Sequence, residues 1–244
     1  MILGDKNTLN IFVDASLITT NDGKYITCSG ALAVIDATTP NPKIIDRRFS
    51  INYDSTNNNG ELLAILRGIE IAIAYKYEFS KINIFSDSRI SVFGLRDWCN
   101  KWFNDNRGAF DTIISSTGAS VKNQELIIHI IRTIIFNNLS ISLYHQKGHV
   151  DIRNREMVLK AMRTFNANNF FDCERNKVWT DYNSTLIMSM FNDMIDSLTR
   201  QYLNNISPYD LCNKSLSPLQ YGITYDLFNK YKNLINLKGG SRLC

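Results

Sequence analysis

Three apolar stretches bounded by turn signals come first in this chain, and a segment of helical period follows them. Residues 9–16 read LNIFVDAS, a short apolar run whose C-terminal end carries Asp14. Residues 25–35 come after the turn signal Asn21-Asp22-Gly23, and residues 44–53 after a turn marked by Pro40 and Pro42. Three such strands with short connections predict an antiparallel meander. From Glu61 onward, Leu62, Ile65, Leu66, Ile69 and Ile73 recur at helical spacing. The polar cluster Thr56-Asn57-Asn58-Asn59 ahead of them suits a helix cap. KINIF at 81–85 then reads as a fourth strand, ending in Ser86-Asp87-Ser88.

Residues 91–103 read as a helix interrupted near Gly94, and 107–120, with Gly108 and Gly118, as a loop or protrusion. An amphipathic helix over 122–136 and a fifth strand over 139–145 follow. The order β-β-β-α-β-α-α-β-α predicts an α/β fold, a five-stranded mixed sheet with helices on both faces. Beyond Gly148 the rhythm fades: 150–185 is polar with scattered Phe and Trp, and periodicity returns over 186–203. The tail from residue 204 is broken by Pro208 and Pro218, with a weak helix near 225–235. This reading gives one domain over 1–203 and an extension over 204–244.

A chain of 244 residues, 44% hydrophobic, buries a sizeable core without disulfides. Its net charge of +4 permits a nucleic-acid partner without arguing for one. Cys28, Cys99, Cys173, Cys212 and Cys244 form no C-x-x-C pair and read as reduced thiols. The N-terminal residues are charged where a signal peptide needs an apolar run, and no stretch has the length of a membrane span. The expectation is a cytoplasmic protein with no membrane partner.

Three acids fall at the ends of these elements. Asp14 ends the first strand, Glu61 opens the long helix and Asp87 ends the fourth strand. With strands one and four side by side, their C-terminal ends present Asp14 and Asp87 together, and Glu61 leans in from the helix start. This is the edge where α/β sheets place ligands. Carboxylates packed so closely repel one another and call for cations, and oxygen-only ligands suit Mg²⁺ or Mn²⁺. Two such ions about 4 Å apart activate a water and stabilise the leaving oxygen of a phosphodiester. Taken singly, each acid reads first as a solvated end-of-element residue.

The words around these acids resemble type 1 ribonuclease H. IFVDAS around Asp14 looks like the first catalytic strand of that family, and TNNNGELLAILRGIEIA around Glu61 resembles its T-N-N-x-x-E-L-x-A helix start. FSDSRISVFGLRDWCNKW is similar to its D-S-x-x-x-x-x-G-I-x-x-W-x-x-x-W segment, VKNQEL to its V-x-N-x-x-L helix entry, and YHQKGH to its V-K-G-H strand end. The matches occur in family order over roughly the first 150 residues. The resemblance implies a ribonuclease H-like fold and a two-metal endonuclease, with Mg²⁺ or Mn²⁺ on Asp14, Glu61 and Asp87 and RNA/DNA hybrid as substrate.

The family's fourth acid lies in an N-x-x-x-D-x-L-A helix after the Gly-His. Here Asn154 is followed four positions on by Val158, whereas Asn192 and Asp196 fit N-x-x-x-D-x-L. Residues 150–190 therefore read as an insertion and Asp196 as the fourth metal ligand, with Asp151 and Asp193 as alternatives. The insertion should lie near the catalytic edge and be removable, and its Arg153, Arg155, Lys160 and Arg163 either touch phosphates or form a solvated face. The resemblance gives His149 a part in proton transfer or product release, for which a charge change near neutral pH is suited. It places Asn57 and Asn58 against the sugars and bases of the hybrid, although Asn58 could simply cap the helix. Thr56 and Asn123 match two members of a DNA-phosphate pocket, whose arginine is replaced by Asp54. Trp98 and Trp102 match an aromatic groove for DNA sugars, or else belong to the core. The protrusion at 103–109 carries Arg107 but also Asp105 and is weakly basic.

Two further readings stay open at this level. One is a DNA nuclease of the same fold, resolvase- or integrase-like; the other is a catalytically dead nucleic-acid-binding module. A ribonuclease H domain linked to a polymerase is a third setting.

Overall fold

The computed structural model of the chain describes residues 2–4, 7–105, 113–115, 117–176 and 179–205. Most of the protrusion and nearly all of the 204–244 tail, including the weak helix near 225–235, lie outside the described residues. The strands are β1 (Thr8–Thr19), β2 (Tyr25–Ile35), β3 (Lys43–Tyr53), β4 (Lys81–Ser86) and β5 (Ser142–His145), in the order β3-β2-β1-β4-β5. The first three pair antiparallel, as the short connections require, while β1–β4 and β4–β5 are parallel. The mixed sheet is the one expected from the sequence.

Asp14 corrects one expectation, because it lies inside β1 rather than at its end. Residues 17–19 continue as an arm paired with β2 up to Thr19↔Tyr25. The parallel pairing with β4 stops one residue before the acid, at Val13↔Ser86. Asp14 therefore still stands at the C-terminal edge of the parallel half of the sheet, beside Asp87.

Strand alternation sorts the core into two layers. On one face Leu9, Ile11, Val13, Ile82, Ile84 and Leu143 pack under α1 (Asn57–Tyr75) and α4 (Gln124–Phe136). On the other, Phe12, Phe85 and Tyr144 stack at centroid distances of 5.1 and 5.5 Å, with Phe191 5.0 Å from Phe12. Between β4 and α4 run α2 (Arg89–Phe93), a π-helical turn (Gly94–Trp98) and α3 (Cys99–Asp105). The interruption expected near Gly94 is this wide turn.

Among the described residues three helices follow β5 where the sequence suggested periodicity only over 186–203: α5 (Arg155–Asn168), α6 (Phe170–Asn176) and α7 (Tyr182–Asn204). The expected insertion is therefore shorter at its C-terminal end than 190, since α7 starts at Tyr182. Nor is it peripheral. Phe165 of α5 is buried against Phe85 and Tyr144, at 6.4 and 5.8 Å, and Val158 and Ala161 close a second apolar patch with Val150. Arg96, 1% exposed, donates from Nη1 to Leu143 O at 3.1 Å and to Asn169 Oδ1 at 2.6 Å, and from Nη2 to Asn168 O at 2.9 Å. A buried arginine thus ties the α5–α6 corner to the sheet and to the turn before Trp98.

Helix α7 crosses β1 and β2 closely because Gly30 has no side chain: a Cβ there would lie 2.7 Å from Thr199 Cγ2. Among the described residues no helix is long and apolar enough to cross a membrane. Cys28, Cys99 and Cys173 are buried; Cys212 and Cys244 lie outside the described residues.

Candidate active site

β1, α1, the end of β4, the loop after β5 and α7 converge on one cleft of about 590 Å³, lined by Asp14, Asn57, Glu61, Asp87, His149, Asp196 and Arg200 among others. Ligand oxygens of Asp14, Glu61 and Asp87 all lie within 4.8 Å of one another. Each is there for a local reason. Asp14 alternates with Val13 along β1, and its Oδ1 accepts from Ala15 N at 2.7 Å. Glu61 reaches the same place because Thr56 caps α1 by accepting from Asn59 N at 3.3 Å, which starts the helix directly over β1 and β2. Asp87 follows β4 where Ser88 caps α2.

The electrostatics are those of a cluster in which burial and mutual repulsion outweigh nearby positive charge. Burial, then the Asp87 charge, push the Asp14 carboxyl up to about 8. Burial, then Asp14 and Asp87, hold Glu61 well above the usual carboxylate range, and burial also raises Asp87. Glu61 Oε2 is buried without a hydrogen-bond partner. Gly148 comes so near that a Cβ on it would lie 2.0 Å from Asp87 Oδ2. An orphaned carboxylate oxygen, three hard oxygen ligands and a neighbour reduced to backbone fit a divalent cation, whose charge would offset the repulsion.

The fourth acid in the cleft is Asp196 of α7. It stands outside the three-acid cluster, accepting from Arg200 Nε at 2.8 Å and from the Ser16 hydroxyl at 3.5 Å, with His149 Nδ1 4.0 Å from its other oxygen. Of the alternatives, Asp151 is exposed and accepts from Arg153 N at 3.0 Å, and Asp193 does not line the cleft. Val158, at the position the family pattern gives to an acid, is buried among apolar side chains. His149 is exposed, in the left-handed region at φ 51°, a conformation that costs a non-glycine residue of order 1 kcal/mol and needs support from its surroundings.

The expected substrate contacts divide. Asn57 lines the cleft, while Asn58 is exposed outside its lining. Thr56 is occupied as the helix cap, and Asn123, left-handed at φ 60°, accepts from Asn59 Nδ2 at 3.5 Å. Thr56 and Asn123 are thus joined through Asn59. Trp98 and Trp102 meet edge to face at 6.1 Å; Trp98 is exposed, whereas Trp102 packs on the core.

Sequence reasoning assigned no role to a layer beneath the acids. Asn192 donates from Nδ2 to Asp87 Oδ2 at 3.4 Å and accepts from Gln146 Nε2 at 2.6 Å. His145 accepts at Nδ1 from Asn168 Nδ2 at 2.8 Å and makes a hydrogen bond to the Asp87 backbone; burial pushes it down to about 4, so it is neutral. With Nδ1 accepting, the ring proton resides on Nε2. The signal available in the sequence was spacing: Asn192, Asp196 and Arg200 fall four apart and share one face of α7.

A family model described as RNase H matches residues 6–163. That span holds Asp14, Glu61 and Asp87 and ends inside α5, ahead of Asp196. The Ribonuclease H of Neorickettsia sennetsu is 30% identical over 101 residues, covering 41% of this chain and 59% of that protein. The matched region thus spans less than two thirds of that relative. Two solved structures are also similar. The PFV RNase H domain is 14% identical with a TM-score of 0.49, over 70% of this chain and 98% of that one. A foamy viral protease-reverse transcriptase in complex with RNA/DNA hybrid is 12% identical with a TM-score of 0.45, over 58% of this chain and 18% of that one.

Proposed function

This chain belongs to the RNase H family, and from that premise we propose that it is an endoribonuclease hydrolysing the RNA strand of RNA/DNA hybrids. The observation that carries the reading is the buried cluster of Asp14, Glu61 and Asp87, with ligand oxygens within 4.8 Å and Glu61 Oε2 unpartnered. With Asp196 these residues would hold two Mg²⁺ or Mn²⁺ ions. Such ions, when bound, lower the pKa of a water and offset charge on the leaving oxygen.

The chain's own residues supply the rest. Asn192 and Gly148 fix where the Asp87 carboxylate points. His149, exposed beside Asp196, is placed to take up or hand on a proton at the mouth of the cleft. Asn57 and Asn58, exposed at the start of α1, offer amides that donate to and accept from a 2′-hydroxyl. Thr56 with Asn123 takes a DNA phosphate, and the exposed face of Trp98, backed by Trp102, takes DNA sugars. Arg153, Arg155, Lys160 and Arg163 are exposed and are offered as further phosphate contacts. We take residues 1–203 as the nuclease domain and 204–244 as its extension. The burial of Cys28, Cys99 and Cys173 away from solvent fits a reducing, cytoplasmic setting.

The test is cleavage of end-labelled RNA/DNA hybrid, duplex RNA and duplex DNA, with and without Mg²⁺. The expected result is Mg²⁺-dependent cutting of RNA in the hybrid alone, leaving 3′-hydroxyl and 5′-phosphate ends. Equal cutting of duplex DNA would move the chain to the DNA-nuclease reading. Hybrid binding without any cutting would make it a binding module.

A further inference from the structure

Asp196 differs from the other three acids of the cleft in already having a cation. Arg200, one turn further along α7, donates from Nε to Asp196 Oδ1 at 2.8 Å, and its side chain lines the same cleft. The Ser16 hydroxyl, itself 2.7 Å from Thr199 Oγ1, reaches the same carboxylate oxygen at 3.5 Å. Glu61, by contrast, has an oxygen with no partner at all. Arg200 also acts on the cluster from a distance, lowering Asp14 against the effects of burial and of its acidic neighbours.

The pair is built to be broken. An aspartate one turn before an arginine is a favourable helical arrangement, but Arg200 is 61% exposed against 16% for Asp196. An ion pair with one partner in solvent is worth little and is exchanged cheaply. A divalent ion placed among desolvated carboxylates meets far less competition from water and carries twice the charge.

We propose that Arg200 is a placeholder cation: it holds the Asp196 carboxylate while that side of the site lacks a divalent ion, and yields it when the ion enters. The consequence is an ordered site. The three-acid cluster fills first, and the Asp196 side fills second because its ion must displace a guanidinium. This rests on reading the cleft as a two-metal site.

The test compares full-length wild type, Arg200→Gln, Arg200→Lys and Asp14→Asn by Mn²⁺ titration, with free Mn²⁺ followed by electron paramagnetic resonance. Thermal melts in chelator and in excess Mn²⁺ run alongside. Arg200→Gln should tighten the weaker of two Mn²⁺ midpoints roughly two- to fivefold, the range an exposed ion pair spans, and should melt lower in chelator. Arg200→Lys, which keeps the charge, should stay near wild type. An Arg200→Gln isotherm identical to wild type, or weaker, overturns the placeholder role while leaving the metal site standing. Uptake that survives Asp14→Asn overturns the two-metal reading and the placeholder with it.

Discussion

Asn192 holds Asp87: its side-chain amide donates to the carboxylate at 3.4 Å, and its own oxygen is fixed by Gln146 Nε2 at 2.6 Å. The bond runs from α7 to the end of β4, so the helix that carries Asp196 also orients an acid on the sheet. Replacing Asn192 by Ala should leave the fold in place and raise the Mg²⁺ concentration needed for half-maximal hydrolysis. Loss of an outer partner of a metal ligand costs about ten- to a hundredfold in affinity or activity. A Mg²⁺ titration of hybrid cleavage checks this, and an unchanged midpoint would show that Asp87 needs no such support.

Asp14→Asn and Asp87→Asn should each abolish cutting while retaining hybrid binding. In chelator their melting temperatures should hold or rise, since each change removes a buried carboxyl whose charged form burial and its neighbours disfavour. Full activity in either variant would remove the proposed metal site.

The same cluster sets a pH dependence. The folded Asp14 carboxyl titrates near 8, above its ordinary value of 3.8. Between those values the folded state binds more protons than the unfolded one, so metal-free stability is lost as pH rises through that window. Melting temperature in chelator should therefore fall from about pH 5 to about pH 8, and saturating Mg²⁺ should flatten the fall. Glu61 and Asp87 are raised as well and act in the same sense. A metal-free protein that becomes more stable over this range contradicts the buried cluster.

Gly148→Ala should damage the site without touching a carboxylate. Its Cβ would fall 2.0 Å from Asp87 Oδ2, so the acid or the loop must move. Overpacking of this kind costs about 1–3 kcal/mol, and misdirecting a ligand should reduce activity at least about tenfold. Denaturant melts with kcat measurements separate the two effects.

Phe165→Ala should cost about 3–5 kcal/mol, as for other fully buried aromatics. The sequence suggested that residues 150–190 could be removed; the structure argues otherwise, because α5 covers Phe85 and Tyr144. Urea unfolding of this variant decides between a removable excursion and a core element.

The reason that segment was misjudged is physical. Val158, Ala161 and Phe165 are the residues of α5 in the buried core, and Met157, Leu159 and Met162 stand half-buried beside Arg155, Lys160 and Arg163. Such a pattern marks a helix but not the partner it covers, which is tertiary information. Arg96 was equally opaque, because nothing in a helix of mixed composition marks one arginine as buried. The sheet was legible because strand alternation and turn signals are local, and Asp14 and Asp87 came together through a parallel pairing that the strand–helix–strand order demands. Strand length was less so: Leu17, Ile18 and Thr19 extend β1 past the acid because β2 offers them a partner, which is tertiary information. Asp196 could be singled out from its motif spacing, but its engagement by Arg200 could not.

Ser16 and Asp196 meet across 180 residues of chain. During synthesis the strands and α1 leave the ribosome before α7, so Asp196, Asn192 and Arg200 are made after the three acids. Until then Asp87 lacks the amide of Asn192, and the three acids lack their fourth neighbour. The cleft is thus closed by a helix whose residues are made well after the three acids that it meets.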